Sequence, residues 1–270
     1  MNMKQKPHYK HDYRIIGASA TGPLHVINAT PCQDAFSYKI LPSGIGVIAI
    51  ADGLGSAFLS DFGARDAVDT AVLTAKQNIF SIVSDEPDLK DVAREAVFGA
   101  RKVLEEKAQE YKCKLRDLAC TLIVVVMHKY NVAVAHIGDG AVVAETREGL
   151  KLISSPGDSE YANEVSPLTD KEWKKHLRVT TVISGVSGIM SFTDGLQRAA
   201  LKPTPEGLIP FDGFCDPLFS YVKEAKEVKE VENDIKSLLS SKKICENSED
   251  DKTLVIATLN VTNTEINIKK

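Results

Sequence analysis

The chain has 270 residues and a formal net charge of −4, with 43% hydrophobic and 26% charged residues. That length allows one large domain or two small ones with a sizeable core, and the charge balance, without any basic run, argues against nucleic acid as the main partner. No apolar run approaches the roughly 20 residues of a membrane span, and the basic start MNMKQKPHYKHDY lacks the apolar stretch of a secretory signal.

Residues 1–12 read as a flexible leader and 13–265 as a single domain. Tyr13–Ala20 reads as a first strand, followed by a turn at Thr21-Gly22-Pro23. The segment from His25 to Phe36 leads into a short strand, 35–41. Pro42-Ser43-Gly44 turns it, and 45–51 returns as an apolar strand ending at Asp52-Gly53. Asp34 therefore starts one strand and Asp52 ends its antiparallel neighbour, which places both at the same end of a sheet. Helices are expected at about 60–80 and 88–112. The second carries Leu89, Val92, Ala93, Ala96, Val97, Ala100 and Leu104 at a 3.6-residue period. Two adjacent amphipathic helices need a shared apolar surface to cover.

The period then changes. Ala119–Met127 (ACTLIVVVM) is a β-branched run suited to a strand buried on both faces. The strand 132–137 ends at Gly138-Asp139-Gly140, and 141–146 with 150–153 form a further hairpin. Ser154–Trp173 is polar and aperiodic, and a loop of that length in a compact domain is usually functional. Strands follow at 178–184 and 188–193, the latter ending at Asp194-Gly195. Residues 202–210 read as loop, 216–240 as one helix, and 253–261 as a last strand after Asp250-Asp251. Strands in antiparallel hairpins with helices in pairs make the fold class α+β. Five scattered cysteines (Cys32, Cys113, Cys120, Cys215 and Cys245) form no Cys-x-x-Cys pair, which suits reduced thiols and a cytoplasmic location.

Asp52-Gly53, Asp139-Gly140 and Asp194-Gly195 each follow an apolar strand, and Asp250-Asp251 precedes one. Alone, each Asp-Gly is an ordinary turn signal, as Asp212-Gly213 is expected to be. Together, several strand-end carboxylates on one sheet system repel one another unless a cation neutralises them. All-oxygen ligands suit Mg²⁺ or Mn²⁺, and two such ions can clamp the oxygens of a phosphoryl displacement.

The motifs Cys32-Gln33-Asp34-Ala35, Ala51-Asp52-Gly53-Leu54-Gly55, Ile137-Gly138-Asp139, Phe192-Thr193-Asp194-Gly195 and Asp250-Asp251-Lys252-Thr253 occur in the order and rough spacing of one family. The chain resembles the metal-dependent protein phosphatases of type 2C (PPM). Tyr161-Ala162-Asn163-Glu164 and Leu168-Thr169 before Trp173 resemble its bacterial stand-alone subgroup. The resemblance implies a four-layer α-β-β-α sandwich of two mainly antiparallel sheets flanked by helix pairs. It implies a serine/threonine protein phosphatase in which a hydroxide bridging two Mn²⁺ or Mg²⁺ ions attacks phosphorus. By position, Asp52 would bridge both ions and the Gly53 carbonyl would bind one. Asp194 and Asp250 would hold the other, Asp34 would orient metal-bound water, and Asp139 with Asp194 would hold a third, weaker ion. The Ser154–Trp173 loop falls where the family has its substrate-touching flap. Phosphoserine and phosphothreonine proteins, and a cognate serine/threonine kinase, are the partners implied.

The motifs also depart from the family. An arginine that grips the substrate phosphate usually stands a little before the first acid; the nearest residues here are Arg14 and His25. His25 is either a turn or core histidine, or a phosphate donor and acid for the leaving serine oxygen. Leu54 stands where eukaryotic members often carry histidine, so it transfers no proton. Asp251 replaces the family's Asn, and its extra charge either raises metal affinity or faces solvent. The competing readings are a catalytically weak pseudophosphatase serving as a phosphoprotein-binding or regulatory module, and a metal hydrolase of small phosphoesters.

Overall fold

Side chains alternate along each strand, and that alternation sorts the apolar residues into three layers of core. The structure is a computed structural model and describes residues 8–81, 87–156 and 165–264. In chain order the elements are β1 (His8–Ala20), α1 (Pro23–Ile27), β2 (Ala35–Ile40), β3 (Ile45–Ala51), α2 (Ser60–Ser81), α3 (Leu89–Glu110), β4 (Leu122–His128), β5 (Asn131–Ile137), β6 (Ala141–Thr146) and β7 (Gly149–Ser154). They continue with α4 (Trp173–His176), β8 (Arg178–Val179), β9 (Val186–Phe192), α5 (Gln197–Ala200), β10 (Leu201–Thr204), β11 (Gly207–Pro210), α6 (Asp212–Glu224), α7 (Val228–Leu239), α8 (Lys242–Cys245) and β12 (Lys252–Thr264).

Two five-stranded antiparallel sheets face each other. One has the order β1-β12-β9-β6-β7 and the other β2-β3-β4-β5-β8. Ile48 and Ile50 of β3, Val125 of β4, Ile15 of β1 and Val255 of β12 fill the space between the sheets. The opposite face of β3, Val47, Ala49 and Ala51, packs under Ala64, Ala67, Val68 and Ala71 of α2 and Ala93, Ala96, Val97 and Ala100 of α3. Small residues on both helices let them lie close to the sheet. On the other side, Ile16, Met190, Phe192, Leu254 and Ile256 pack under Phe219 and Val222 of α6 and Val231 and Ile235 of α7. The expected four-layer α-β-β-α sandwich of mainly antiparallel sheets is what forms.

Several boundaries differ from expectation. Residues 8–12, placed in the leader, extend β1, with Asp12 opposite Asn260 and His8 opposite Thr264 of the long β12. Residues 1–7 lie outside the described residues. The expected helix 216–240 is two helices. The buried positions run Cys215, Leu218, Phe219, Val222 and then Val231, Ile235, Leu239. From Val222 to Val231 is about two and a half helical turns, so a continuous helix would turn the second stripe to solvent. The chain breaks instead at Ala225, which is extended. Asp212 does not turn a hairpin but lies in the first turn of α6. Residues 202–210 form the β10–β11 hairpin, with Gly207 at φ 124. The strand expected at 178–184 pairs regularly only at Arg178–Val179, because the Thr180 hydroxyl accepts the Val134 N–H (2.9 Å) in place of a backbone carbonyl.

Candidate active site

Register brings the acidic motifs to one end of the sandwich. Ala35 pairs with Ala51, so Asp34 and Asp52 leave adjacent strands side by side. Phe192 pairs with Leu254 on one side and Ala141 on the other. Asp194, Asp250 and Asp139 therefore flank the same end of the other sheet. The corner is pinned by reciprocal bonds: the Asp52 N–H donates to Thr121 Oγ1 (2.9 Å), and the Thr121 N–H to the Asp52 carbonyl (2.8 Å). Gly53 is packed so closely that a Cβ would lie 2.8 Å from the Gln33 and Ser60 carbonyl oxygens.

These carboxylates feel each other. Burial pushes Asp34 up to about 8, against hydrogen bonds from Thr193 and Thr253 and with the charges of Asp251 and Asp194 adding to the rise. Asp52 is raised well above the ordinary range, first by burial and then by the charges of Asp34, Asp194, Asp250 and Asp139. Burial and the Asp194 charge push Asp139 up to about 6. Asp194 is raised by burial and by Asp250, while Lys252 opposes the rise. Lys252 is itself buried, and its Nζ donates to the Asp250 carbonyl at 2.5 Å.

Such a cluster fits a hard divalent cation. Asp34 Oδ1 and Asp194 Oδ1 are buried without a hydrogen-bond partner, and orphaned buried oxygens are costly unless something positive meets them. The oxygen-only donor set is the chemistry that Mg²⁺ and Mn²⁺ select.

The remaining sequence-predicted residues divide. Arg14 is not at the site. It lies on the helix-facing side of β1, and its Nη1 donates to the Val222 and Lys223 carbonyls at 2.9 and 3.0 Å, capping the end of α6. Its expected role as phosphate grip is thereby corrected: tying up the last carbonyls of α6 takes the guanidinium away from the carboxylate end. His25 is at the site, on the short helix α1, with Nδ1 2.9 Å from Asp251 Oδ2. Asp251 does not face solvent; it is 2% exposed. Asp250 is the exposed member of the pair and the one whose charge reaches Asp52 and Asp194.

The flap expected at Ser154–Trp173 is described at both limbs, while its 157–164 segment, including Tyr161–Glu164, lies outside the described residues. Arg178 Nη2 holds the first limb, donating to the Ser155 carbonyl (3.3 Å), the Gly138 carbonyl (2.8 Å) and His136 Nδ1 (3.0 Å). A guanidinium only donates, so Nδ1 is the unprotonated nitrogen of His136. That agrees with a pKa lowered well below the usual range by burial and by the Arg178 charge. Arg101 Nη1 holds the second limb through the Leu168 and Asp170 carbonyls, both at 2.8 Å. A groove of about 950 Å³ runs from Leu54 and Ser56 along Arg116 to this limb at Pro167–Glu172.

Sequence reading missed Thr193, whose hydroxyl donates to Asp34 Oδ2 at 2.7 Å and accepts the Thr253 N–H at 3.0 Å. It also missed Thr121 and the buried Lys252. Thr193 and Lys252 stand inside quoted motifs, so their places beside the ligands were the available signal; Thr121 had none.

A model of the family described as Protein phosphatase 2C matches residues 21–240. The chain belongs to the protein phosphatase 2C family, whose members are metal-dependent serine/threonine phosphatases. Serine/threonine-protein phosphatase 3 of Escherichia coli (strain K12) is 31% identical over 252 residues, spanning 91% of this chain and 98% of that protein. Among solved structures, the catalytic domain of serine threonine protein phosphatase PstP in complex with two manganese ions aligns with a TM-score of 0.57 at 16% identity, covering 93% of this chain and 99% of that one. RsbX in complex with magnesium aligns with a TM-score of 0.55 at 14% identity, covering 94% and 100%.

Proposed function

We propose that the chain hydrolyses phosphoserine and phosphothreonine in proteins at a dinuclear Mn²⁺ or Mg²⁺ site. The observation that carries this reading is the convergence of Asp34, Asp52, Asp139, Asp194 and Asp250 at one sheet end, with the carboxylates of Asp34, Asp52, Asp139 and Asp194 pushed toward neutrality. Asp52, the Gly53 carbonyl, Asp194 and Asp250 would hold two ions, and Asp139 with Asp194 a weaker third. When bound, the ions supply Lewis-acid activation of water and neutralise charge on the phosphoryl oxygens.

The chain's own residues do the rest. Thr193 occupies Asp34 Oδ2 and leaves Oδ1 free, so Asp34 orients the attacking water and takes its proton at Oδ1. His25 stands in for the absent arginine, as donor to a phosphate oxygen and acid for the leaving serine or threonine oxygen. The groove between Leu54, Arg116 and the flap limb is where residues flanking the phosphorylated one would lie. The unpaired thiols of the five cysteines support a cytoplasmic setting, with a serine/threonine kinase as the opposing activity.

The test is release of phosphate from a phosphothreonine peptide and from p-nitrophenyl phosphate. Activity is expected with Mn²⁺ or Mg²⁺, none with EDTA, and no inhibition by okadaic acid. The diversion of Arg14 to α6 favours a second reading, a phosphoprotein-binding module with weak chemistry. That reading gains if the native protein binds phosphopeptides but releases no phosphate with either metal.

A further inference from the structure

We propose that Asp251 is a positioning residue for His25 and ties the phosphate-side helix α1 to the metal-ligand corner. The proposal rests on the phosphatase reading of that corner. Asp251 Oδ1 accepts the Gly22 N–H at 2.7 Å, and Oδ2 accepts the Gln33 N–H at 2.6 Å. The first donor precedes α1, and the second belongs to the residue before Asp34. One buried carboxylate thus joins three pieces of the site: the strand end carrying Asp250, the lead into Asp34, and the helix carrying His25. The join is close throughout. The Leu24 N–H donates to the Glu249 carbonyl at 3.2 Å, and a Cβ at Gly22 would lie 2.3 Å from the Asp250 carbonyl oxygen. Only glycine lets the chain pass there.

His25 depends on this carboxylate. Its Nδ1 is buried and has no hydrogen-bond partner of good geometry; the approach to Asp251 Oδ2 at 2.9 Å is its close polar contact. A nitrogen of His25 and carboxylate oxygens of Asp250 and Asp251 all lie within 4.8 Å of one another. An ionised carboxylate has no proton to give, so the contact is attractive only when Nδ1 carries the hydrogen. Nε2 is then the nitrogen left for an outside partner, and it donates to a phosphate oxygen when the ring also carries its second proton.

The residue type follows from the same inventory. Two oxygens can meet two backbone N–H groups and an imidazole. The Asn that the resembled family writes here has one acceptor oxygen, and its NH₂ would face a backbone N–H, donor against donor. Asp at 251 and His at 25 thus form one unit.

The test has two arms. In the kinetic arm, KM and kcat for a phosphothreonine peptide, and inhibition by inorganic phosphate, are measured with Mn²⁺ for the native protein, His25→Gln, Asp251→Asn and the double variant. His25→Gln is expected to weaken inhibition by phosphate roughly tenfold, the scale of one hydrogen bond to a charged group. Asp251→Asn should reproduce most of that loss, and the double variant should be no worse than His25→Gln, because the two residues act as one. Losses that multiply, or an Asp251→Asn protein with native phosphate inhibition, overturn the proposal. The second arm needs no variant and no activity: long-range ¹H–¹⁵N spectra of the native imidazoles. Nδ1 of His25 carrying a proton supports the proposal; an unprotonated Nδ1 overturns it. A native protein without metal-dependent activity overturns the phosphatase reading instead, and the spectra then decide the Asp251–His25 contact alone.

Discussion

Asp34, Asp52, Asp139 and Asp194 on one hand, and Asp251 on the other, are carboxylates at the same end of one sandwich in opposite states. Asp34 and Asp194 each keep a buried oxygen without a partner, and all four of that set are pushed toward neutrality, first by burial and then by neighbouring carboxylates. Asp251 is as deeply buried, yet both its oxygens are met by backbone N–H groups. Unsatisfied oxygens are a demand for a cation; satisfied ones are structural mortar. Asp250, the neighbour of Asp251 in sequence, is exposed while Asp251 is buried, because successive residues leading into a strand point opposite ways.

The comparison can be broken most severely at the unsatisfied set. Asp52→Asn or Asp194→Ala should take phosphate release to the assay floor while far-ultraviolet circular dichroism stays native. Retained activity in either variant would remove the metal-site reading. EDTA should have the same effect reversibly, with Mn²⁺ or Mg²⁺ restoring turnover.

A smaller effect tests the electrostatics without turnover. In metal-free protein the Asp34 carboxyl rises from 3.8 to about 8 on folding. The folded state then holds a proton that the unfolded chain lacks between those values. The stability from that proton is fully present below about 4 and is lost as pH rises toward about 8. Thermal melts of EDTA-treated protein should therefore show a falling midpoint from pH 5 to pH 8. Saturating Mn²⁺ should flatten or reverse the trend, since ions bind the ionised form. A metal-free midpoint that climbs with pH over that window would contradict the crowded-carboxylate picture.

The smallest expected change lies at the flap. Arg178→Ala removes donors to the Ser155 and Gly138 carbonyls. It should raise KM for phosphopeptides several-fold and leave p-nitrophenyl phosphate, which has no flanking residues, nearly unaffected. Equal losses on both substrates would show that Arg178 supports the metal corner itself.

Much of this was legible in the sequence, for identifiable reasons. The Pro42-Ser43-Gly44 turn settles that Asp34 and Asp52 leave the sheet together, and helical periodicity delimits α3 within two residues. The break between α6 and α7 was hidden because Ala225 and Val228 extend an apparent stripe, of which Ala225 packs against the core and Val228 is exposed. Arg14 was misread because β1 is buried on both faces, with Ile15 toward the other sheet and Ile16 toward the helices. Alternation therefore carries no sign of which face meets the cleft. Asp251 could not be placed from sequence, since its partners are backbone N–H groups 218 and 229 residues away.

The most direct measurement is calorimetric titration of Mn²⁺ into metal-stripped native protein, Asp52→Asn and Asp251→Asn. Two strong sites are expected in the native chain and in Asp251→Asn, and neither in Asp52→Asn. Undiminished Mn²⁺ binding by Asp52→Asn, or no strong binding by the native chain, would contradict the assignment of these carboxylates as a dinuclear metal centre.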